Sequence, residues 1–369
     1  MTKASCRKPT DNHPLIIPVF IMNSGCPHRC VFCNQKISAG NFPEKITREY
    51  FDRTVASYLE WNKDKTRRVE IAFYGGSFTG IDSGDQEALL VMADAFIRRG
   101  MVHSIRISTR PDYIFEKQLS MLKKYNVATV EIGAESFVDD VLRCAGRGHC
   151  AADTEKAVMM LKKYGFKTGL HLMAGLPGDT AEGFDYSLDR TIELSPDTAR
   201  IHPVLVFAGT ALAEEFRKGA YRPLDIASAV ELCRRAWEKL AAAGIRIIRM
   251  GVQTTPEMEK QGTVLAGPVH PAFGSLVRSS VFYHSTVNVL EKISGDVQEI
   301  RFYLSERDLS IFRGLNNINT EAIKKLYPRA KLIIESQSDR PRGELSVAVN
   351  SGPLLHWTIP GFHQSVRGQ

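Results

Sequence analysis

Hydrophobic residues recur along this chain with two alternating periods. Apolar runs of strand length cover 14–22, 68–74, 102–108, 127–133, 167–174, 198–207 and 245–250. Between them, stretches at 46–61, 86–99, 115–125, 137–142, 151–164, 180–194 and 227–243 carry apolar residues at helical spacing, the first with Ile46, Tyr50, Phe51, Val55, Tyr58 and Leu59. Strands alternating with helices predict βαβ units and a parallel sheet, an α/β fold whose ligands bind beyond the carboxyl ends of the strands. The alternation stops after Gln253. Segment 254–280 is weakly periodic and bears Gly and Pro, and strand-like runs at 299–304, 331–335 and 345–349 with helices at 285–293 and 320–326 predict a small α+β domain. The expected organisation is a polar tail at 1–13, a large domain at 14–253 and the small domain at 254–369.

Composition narrows the class. Of 369 residues, 43% are hydrophobic and 24% charged, the balance of a folded, water-compatible chain. No run approaches the roughly 20 apolar residues of a membrane span, and the polar start has no signal-peptide core, so a cytoplasmic protein with no membrane partner is expected. The net charge of +7 is modest, and from Pro256 onward 13 Lys and Arg face 11 Asp and Glu. Such a surface permits an RNA partner without demanding one.

Three of the seven cysteines fall in one octet, Cys26-Pro27-His28-Arg29-Cys30-Val31-Phe32-Cys33, directly after the first apolar run. Thiolates are soft ligands suited to iron–sulfur clusters and to zinc. Three of them on one loop can each hold one corner of a 4Fe–4S cube, leaving one iron open for chemistry. A structural zinc site would need a fourth ligand, and His28 sits inside the same tight loop instead of in a second knuckle. Ordinary buried thiols rarely come three to an octet. Cys6, Cys144, Cys150 and Cys233 are taken as ordinary thiols. The second apolar strand runs into Gly75-Gly76-Ser77, where missing side chains let a backbone approach a ligand closely; a plain βα turn has the same composition.

The spacing Cys26-x3-Cys30-x2-Cys33 with Phe32 before the last thiol resembles the signature of the radical S-adenosylmethionine (SAM) enzymes. Later motifs extend the likeness in order: Gly-Gly-Ser-Phe-Thr from Gly75, Ser-Thr-Arg-Pro-Asp from Ser108, Val-Glu-Ile-Gly-Ala-Glu-Ser from Val130, Arg-Gly-His from Arg147, His-Leu-Met-Ala-Gly-Leu-Pro-Gly from His171, and His-Pro-Val-Leu from His202. Together they resemble the radical domain of the Elongator catalytic subunit, a tRNA wobble-uridine modifying enzyme, and more distantly oxygen-independent coproporphyrinogen III oxidase. The resemblance implies a partial, six-stranded (β/α) barrel over about 14–253; residues 254–369 are too few and lack a helix-bounded glycine loop, so Elongator's acetyltransferase domain is not expected among them. It implies a 4Fe–4S cluster on Cys26, Cys30 and Cys33, SAM as cofactor, and a reductant such as flavodoxin or ferredoxin as partner. Phe32 would pack near the adenine and Gly75-Gly76 would meet the methionyl group. Ser77 stands where many relatives place a glutamate, so a hydroxyl and backbone acceptors replace a carboxylate there. Arg147 falls at an arginine near the cofactor carboxylate, Glu135 at a ribose-contacting glutamine, and Gly175 to Gly178, with Gly175 and Pro177 in contact, would wall the adenine. Arg110 and Asp112, polar residues at the end of the third strand, are placed at the site. His149 and His202 are read as packing residues, and the ribose contact is left open at His171.

The resemblance names a reaction class, not a product. A radical enzyme acting on tRNA or another RNA stands beside one acting on a small metabolite or porphyrin-like substrate, and beside a non-catalytic metal-containing RNA-binding protein. In the small domain, the order of strand, helix, Arg313-Gly314-Leu315-Asn316-Asn317, helix and strand resembles a KH module, whose short glycine loop clamps nucleotide phosphates. Asn317 stands for the second glycine, and asparagine tolerates a left-handed turn. Arg313, Lys324, Lys325 and Arg329 would be the phosphate contacts.

Overall fold

The computed structural model describes residues 14–21, 24–40, 42–43, 45–293, 295–350 and 352–362. The expected tail at 1–13, with Cys6, and Met22 at the end of the first apolar run lie outside the described residues.

Strand β1 (Leu15–Phe20) leads through the cysteine loop to short helix α1 (Gln35–Ser38) and to α2 (Arg48–Trp61). There follow β2 (Val69–Tyr74), α3 (Ser83–Arg98), β3 (Ser104–Thr109), α4 (Glu116–Lys124), β4 (Val127–Glu135), α5 (Asp139–Cys144), α6 (Ala151–Lys163), β5 (Lys167–Ala174) and α7 (Ala181–Leu194). Next come β6 (Thr198–Pro203), β7 (Val206–Phe207), α8 (Ala211–Arg217), α9 (Ile226–Ala242), β8 (Arg246–Met250), α10 (Pro256–Glu259), β9 (Val264–Ala266) and α11 (Phe273–Leu290). The chain closes with β10 (Glu299–Ser305), α12 (Leu309–Arg313), α13 (Ile318–Leu326), β11 (Lys331–Gln337), β12 (Glu344–Val349) and β13 (Leu355–Thr358). The main sheet has the order β1-β2-β3-β4-β5-β6-β8, so the expected α/β partial barrel is present with seven strands instead of six. The added strand is the apolar run at 245–250.

Two compact units divide the chain. The first takes the described residues of Met1–Pro27, Asn41–Gly133 and Asp153–Thr168, and the second those of His28–Gly40, Ala134–Ala152 and Gly169–Gln369. In the first unit β1, β2, β3 and β4 pair in parallel. The period of two decides the faces of these strands. Phe73 of β2 packs on Phe51 of α2, with ring centroids 6.2 Å apart, and Ile71 and Phe73 are fully buried. Glu70, Ala72 and Tyr74 therefore share the opposite face. Thr47 caps α2 by accepting from the Tyr50 amide, the side-chain capping that favours threonine at a helix start.

In the second unit β5, β6 and β8 pair in parallel, and β7 pairs with β9. The small mixed sheet, ordered β11-β10-β12-β13, belongs to the same unit. Its C-terminal segment is tied to α9: Trp237 Nε1 donates to the Pro360 carbonyl at 3.0 Å, and Phe362 packs on Trp237 and on Phe282 of α11. Asp308, fully buried, accepts from Arg342 Nε at 2.8 Å and from the Gly343 amide at 2.7 Å, holding the start of β12 to α12. Between α12 and α13, Gly314, Asn316 and Asn317 all have positive φ (74°, 52° and 61°), so Asn317 takes the left-handed turn expected of it. Strands β10 and β11 flanking this helix pair run parallel.

Candidate functional site

The cysteine loop begins in the first unit, against the glycine turn. Ser77 N donates to the Ser24 carbonyl at 2.9 Å, and Ile21 N to Tyr74 O at 2.8 Å. A β-carbon on Gly76 would stand 2.5 Å from Ser24 O and 2.7 Å from Ile21 O, and one on Gly25, whose φ is +72°, only 2.1 Å from Ser77 O. Two stretches of backbone thus touch where side chains would separate them, which explains Gly25 and Gly76 physically: they seat the residue before Cys26 on the end of β2. Ser77 is fully buried; its hydroxyl lies 3.0 Å from Thr109 Oγ1 and accepts from the Arg110 amide at 3.3 Å. The hydroxyl is thus engaged in holding β2 to β3, and what the turn exposes is backbone. Arg110 and Asp112 form a bidentate pair at 3.0 and 2.9 Å at the end of β3, with Arg110 buried and Asp112 partly open.

The second unit holds the rest of the loop. Val31 N donates to Ala145 O at 3.1 Å, and Leu212 N to Val31 O at 2.9 Å, so the loop is clasped by the end of α5 and the start of α8. Asn34 accepts from Ile37 N to cap α1 and donates from Nδ2 to Ala208 O at 3.0 Å. Phe32 packs half-buried on the apolar cluster of Val141, Ala145, Leu176 and Val204. Arg147 follows Gly146, and its Nη1 donates to Cys30 Sγ at 3.2 Å. Its Nη2 stands 3.6 Å from Glu135 Oε1, with both side chains almost wholly buried. Glu135 ends β4 with φ +66°, a left-handed conformation that costs a non-glycine residue about 1–2 kcal/mol and that marks functional sites. Gly175 has φ +82°, its carbonyl accepts from Tyr221 OH at 2.6 Å, and Pro177 is buried beside it in sequence. Burial first, and the Glu215 charge second, hold the Tyr221 phenol well above its ordinary range.

The thiols suit a cluster. Cys26 and Cys30 are half-buried, Cys33 is exposed, and none is in a disulfide. A guanidinium N–H aimed at Cys30 Sγ is the kind of outer hydrogen bond that orients a ligand sulfur. Among the described residues no three His, Cys, Asp or Glu side chains converge as for a single metal ion. A 4Fe–4S cube asks for something else, one thiolate on each of three irons.

Of the remaining candidates, His149 Nε2 lies 3.3 Å from the Ala134 carbonyl, a buried packing contact, and His171 and His202 stand as neighbouring rings 6.1 Å apart on β5 and β6. Cys144 and Cys150 are exposed and Cys233 is buried, where burial pushes its thiol up to about 12. The sequence reading assigned no role to a buried ion triad on β2, β3 and β4. Arg106 donates from Nη2 to Glu70 at 2.8 Å and from Nη1 to Glu131 at 2.6 Å, and Tyr74 OH donates to Glu131 at 3.4 Å. Burial pulls the Arg106 guanidinium downward, and Glu131, Tyr74 and Glu70 outweigh it, so the net shift is upward. Its signal was legible: Val-Glu-Ile at Val69 and at Val130 flank Ile-Arg-Ile at Ile105, each with one charge between β-branched residues.

A parallel α/β sheet with a three-thiol loop at the carboxyl end of its first strand is a partial barrel whose loop lies where such sheets meet their ligands. Residues 20–191 match the model of the radical SAM superfamily and residues 196–282 that of the radical SAM C-terminal domain; the chain belongs to this superfamily of enzymes. The tRNA uridine(34) acetyltransferase of Methanocaldococcus jannaschii is 29% identical over 258 residues, 59% of this chain and 47% of that protein. Elongator complex protein 3 of Mus musculus is 34% identical over 137 residues, 36% of this chain and 24% of that protein. The chain spans about half the length of the acetyltransferase relatives it matches. The structure of archaeal Methanocaldococcus infernus Elp3 with an N-terminal deletion shares the fold, with a TM-score of 0.57 at 21% identity over 74% of this chain and 64% of that one. No helix among the described residues is long and apolar enough to cross a membrane.

Proposed function

We propose that this chain is a radical SAM enzyme that modifies tRNA, with Cys26, Cys30 and Cys33 holding a 4Fe–4S cluster. The observation that carries the reading is the buried guanidinium of Arg147 donating to Cys30 Sγ inside the three-cysteine loop. Cys26, Cys30 and Cys33 would hold the cluster, which would pass one electron from an external reductant to SAM and so supply the chemistry of a 5'-deoxyadenosyl radical and methionine; the protein supplies position and exclusion of water. The cofactor contacts proposed in the first unit are the backbone of Gly75, Gly76 and Ser77, with Arg110 and Asp112 at the end of β3. Those proposed in the second unit are Phe32, Glu135, Arg147, Gly175 and Pro177. A flavodoxin or ferredoxin is the proposed reductant and the cytoplasm the proposed compartment. Residues 14–253 are the proposed seat of the chemistry and residues 254–369 that of substrate contact.

The tRNA substrate is supported by the names of the relatives, tRNA uridine(34) acetyltransferase and Elongator complex protein 3. In this reading the C-terminal part contacts phosphate through Arg313 beside the turn between α12 and α13, Lys324 and Lys325 in the last turn of α13, and Arg329 after it, all exposed. Gly314 itself serves packing, since a β-carbon there would meet Ile318 at 2.8 Å and Ser279 at 3.0 Å. Comparing the modified nucleosides of bulk tRNA from a deletion strain and its parent tests the substrate. Loss of one modified uridine is the expected result, and an unchanged nucleoside profile would move the small-metabolite reading ahead.

A further inference from the structure

We propose that Glu135 and Arg147 act as a pair of positioning residues on Cys30, tuning the reduction potential of the cluster this cysteine ligates. The inference rests on the reading of Cys30 as a 4Fe–4S ligand and adds to it a control of potential by the chain's own charges.

The geometry is a short chain of contacts. Glu135 Oε1 stands 3.6 Å from Arg147 Nη2, and Arg147 Nη1 stands 3.2 Å from Cys30 Sγ, so one guanidinium is shared between a carboxylate and a ligand sulfur. Each end is held from behind. Arg147 N donates to Leu142 O at 3.0 Å, and the flanking Gly146 and Gly148 both have positive φ. A β-carbon on Gly148 would lie 2.4 Å from the His28 ring, so the arginine's backbone is packed against the cysteine loop. Glu135 keeps φ +66°, and the next residues are fixed through Ser187, whose Oγ accepts from Phe137 N at 3.0 Å and lies 3.3 Å from Ser136 Oγ.

Hydrogen bonds to cluster sulfurs and nearby charge are among the levers that set an iron–sulfur potential. A cationic N–H on a ligand sulfur favours the reduced cluster, which carries the extra negative charge, and so raises the potential. A carboxylate on the same guanidinium opposes it and lowers the potential. With the Arg147 side chain 8% and the Glu135 side chain 13% exposed, water and salt screen these effects less than at an open surface.

The test uses the full chain, reconstituted without oxygen, in EPR-monitored titrations with dithionite and mediators, no SAM added. Iron content is measured first. Arg147→Gln is expected to shift the potential to more negative values, Glu135→Gln to more positive ones, and Arg147→Lys to fall between wild type and Arg147→Gln. A residue that only supports the fold would move both glutamine variants in one direction or change cluster content. Equal potentials in wild type and Glu135→Gln, or shifts of the same sign in Glu135→Gln and Arg147→Gln, overturn the proposal. If Arg147→Gln takes up no cluster, Glu135→Gln and Arg147→Lys carry the comparison with the same signs required. Absence of a 4Fe–4S cluster from the wild type defeats the underlying reading instead, and the iron assay tells the two failures apart.

Discussion

Single residues decide how the three-cysteine loop is held. Gly25 and Gly76 are glycines because backbone passes backbone at the end of β2, and Ser77 is small and hydroxylated because it is closed against Thr109. Arg147→Ala is expected to weaken SAM binding by about 1–3 kcal/mol, the cost of leaving a charge-assisted hydrogen bond unmade, as calorimetry on the loaded enzyme would read. Asp179, after the Gly175 turn, offers a different measurement. Burial raises its carboxyl from 3.8 to about 6 against a backbone hydrogen bond from Thr180, and its Oδ2 has no hydrogen-bond partner among the described residues. The folded state therefore binds the proton more tightly than the unfolded one. The carboxyl's contribution is most favourable below about pH 4 and is lost as pH rises from 3.8 through about 6. Asp179→Asn is expected to stabilise the protein by about 1 kcal/mol at pH 7.5, a figure reduced for partial exposure, with the gain vanishing near pH 4. A gain of equal size at both pH values in urea unfolding would contradict it. The cysteines and the glycine turn were legible because thiol spacing and missing side chains are written in the sequence. The closure of Ser77 onto Thr109 was not, because it depends on the register of β2 against β3.

At the scale of elements, the alternation of periods located all seven main strands, and it did so because apolar runs and helical stripes are local. What it did not give is which charges meet across strands. Glu70, Arg106 and Glu131 come together because β2, β3 and β4 pair in parallel with these residues on one face, a fact of register. Arg106→Met leaves two buried carboxylates without their cation and is expected to destabilise the protein by roughly 3–5 kcal/mol, read as a lower urea midpoint with an unchanged slope. A loss below about 1 kcal/mol would contradict the reading that Glu70 and Glu131 depend on Arg106 as their buried partner. The turn between α12 and α13 was legible as left-handed at Asn317 from residue type alone, whereas the packing of Gly314 on α11 was not. If α13 and its flanks meet RNA, replacing Arg313, Lys324, Lys325 and Arg329 together by glutamine should flatten the salt dependence of tRNA binding by about 0.7–0.9 for each phosphate no longer neutralised. An unchanged slope would remove these four residues from the interface.

Taken whole, the molecule joins a parallel α/β sheet, whose family is the radical SAM superfamily, to a C-terminal part whose small sheet is tied to α9 through Trp237 and Phe362. The identity of the superfamily was legible from motif order, since all the motifs but Arg147-Gly148-His149, which joins α5 to α6, sit at strand ends where ligands are met. The substrate was not, because nothing in a strand-end motif encodes the molecule that lies beyond it. Everything proposed about chemistry depends on Cys26, Cys30 and Cys33 carrying one cluster with an open iron. The direct measurement is iron content and low-temperature EPR of the chain purified and reconstituted without oxygen, with and without SAM, beside the variant in which all three cysteines are alanine. The account predicts about four irons per chain, a reduced-cluster signal that changes when SAM is added, and loss of both in the triple variant. Zinc in place of iron in the native protein, or four irons retained without the three thiols, would contradict it.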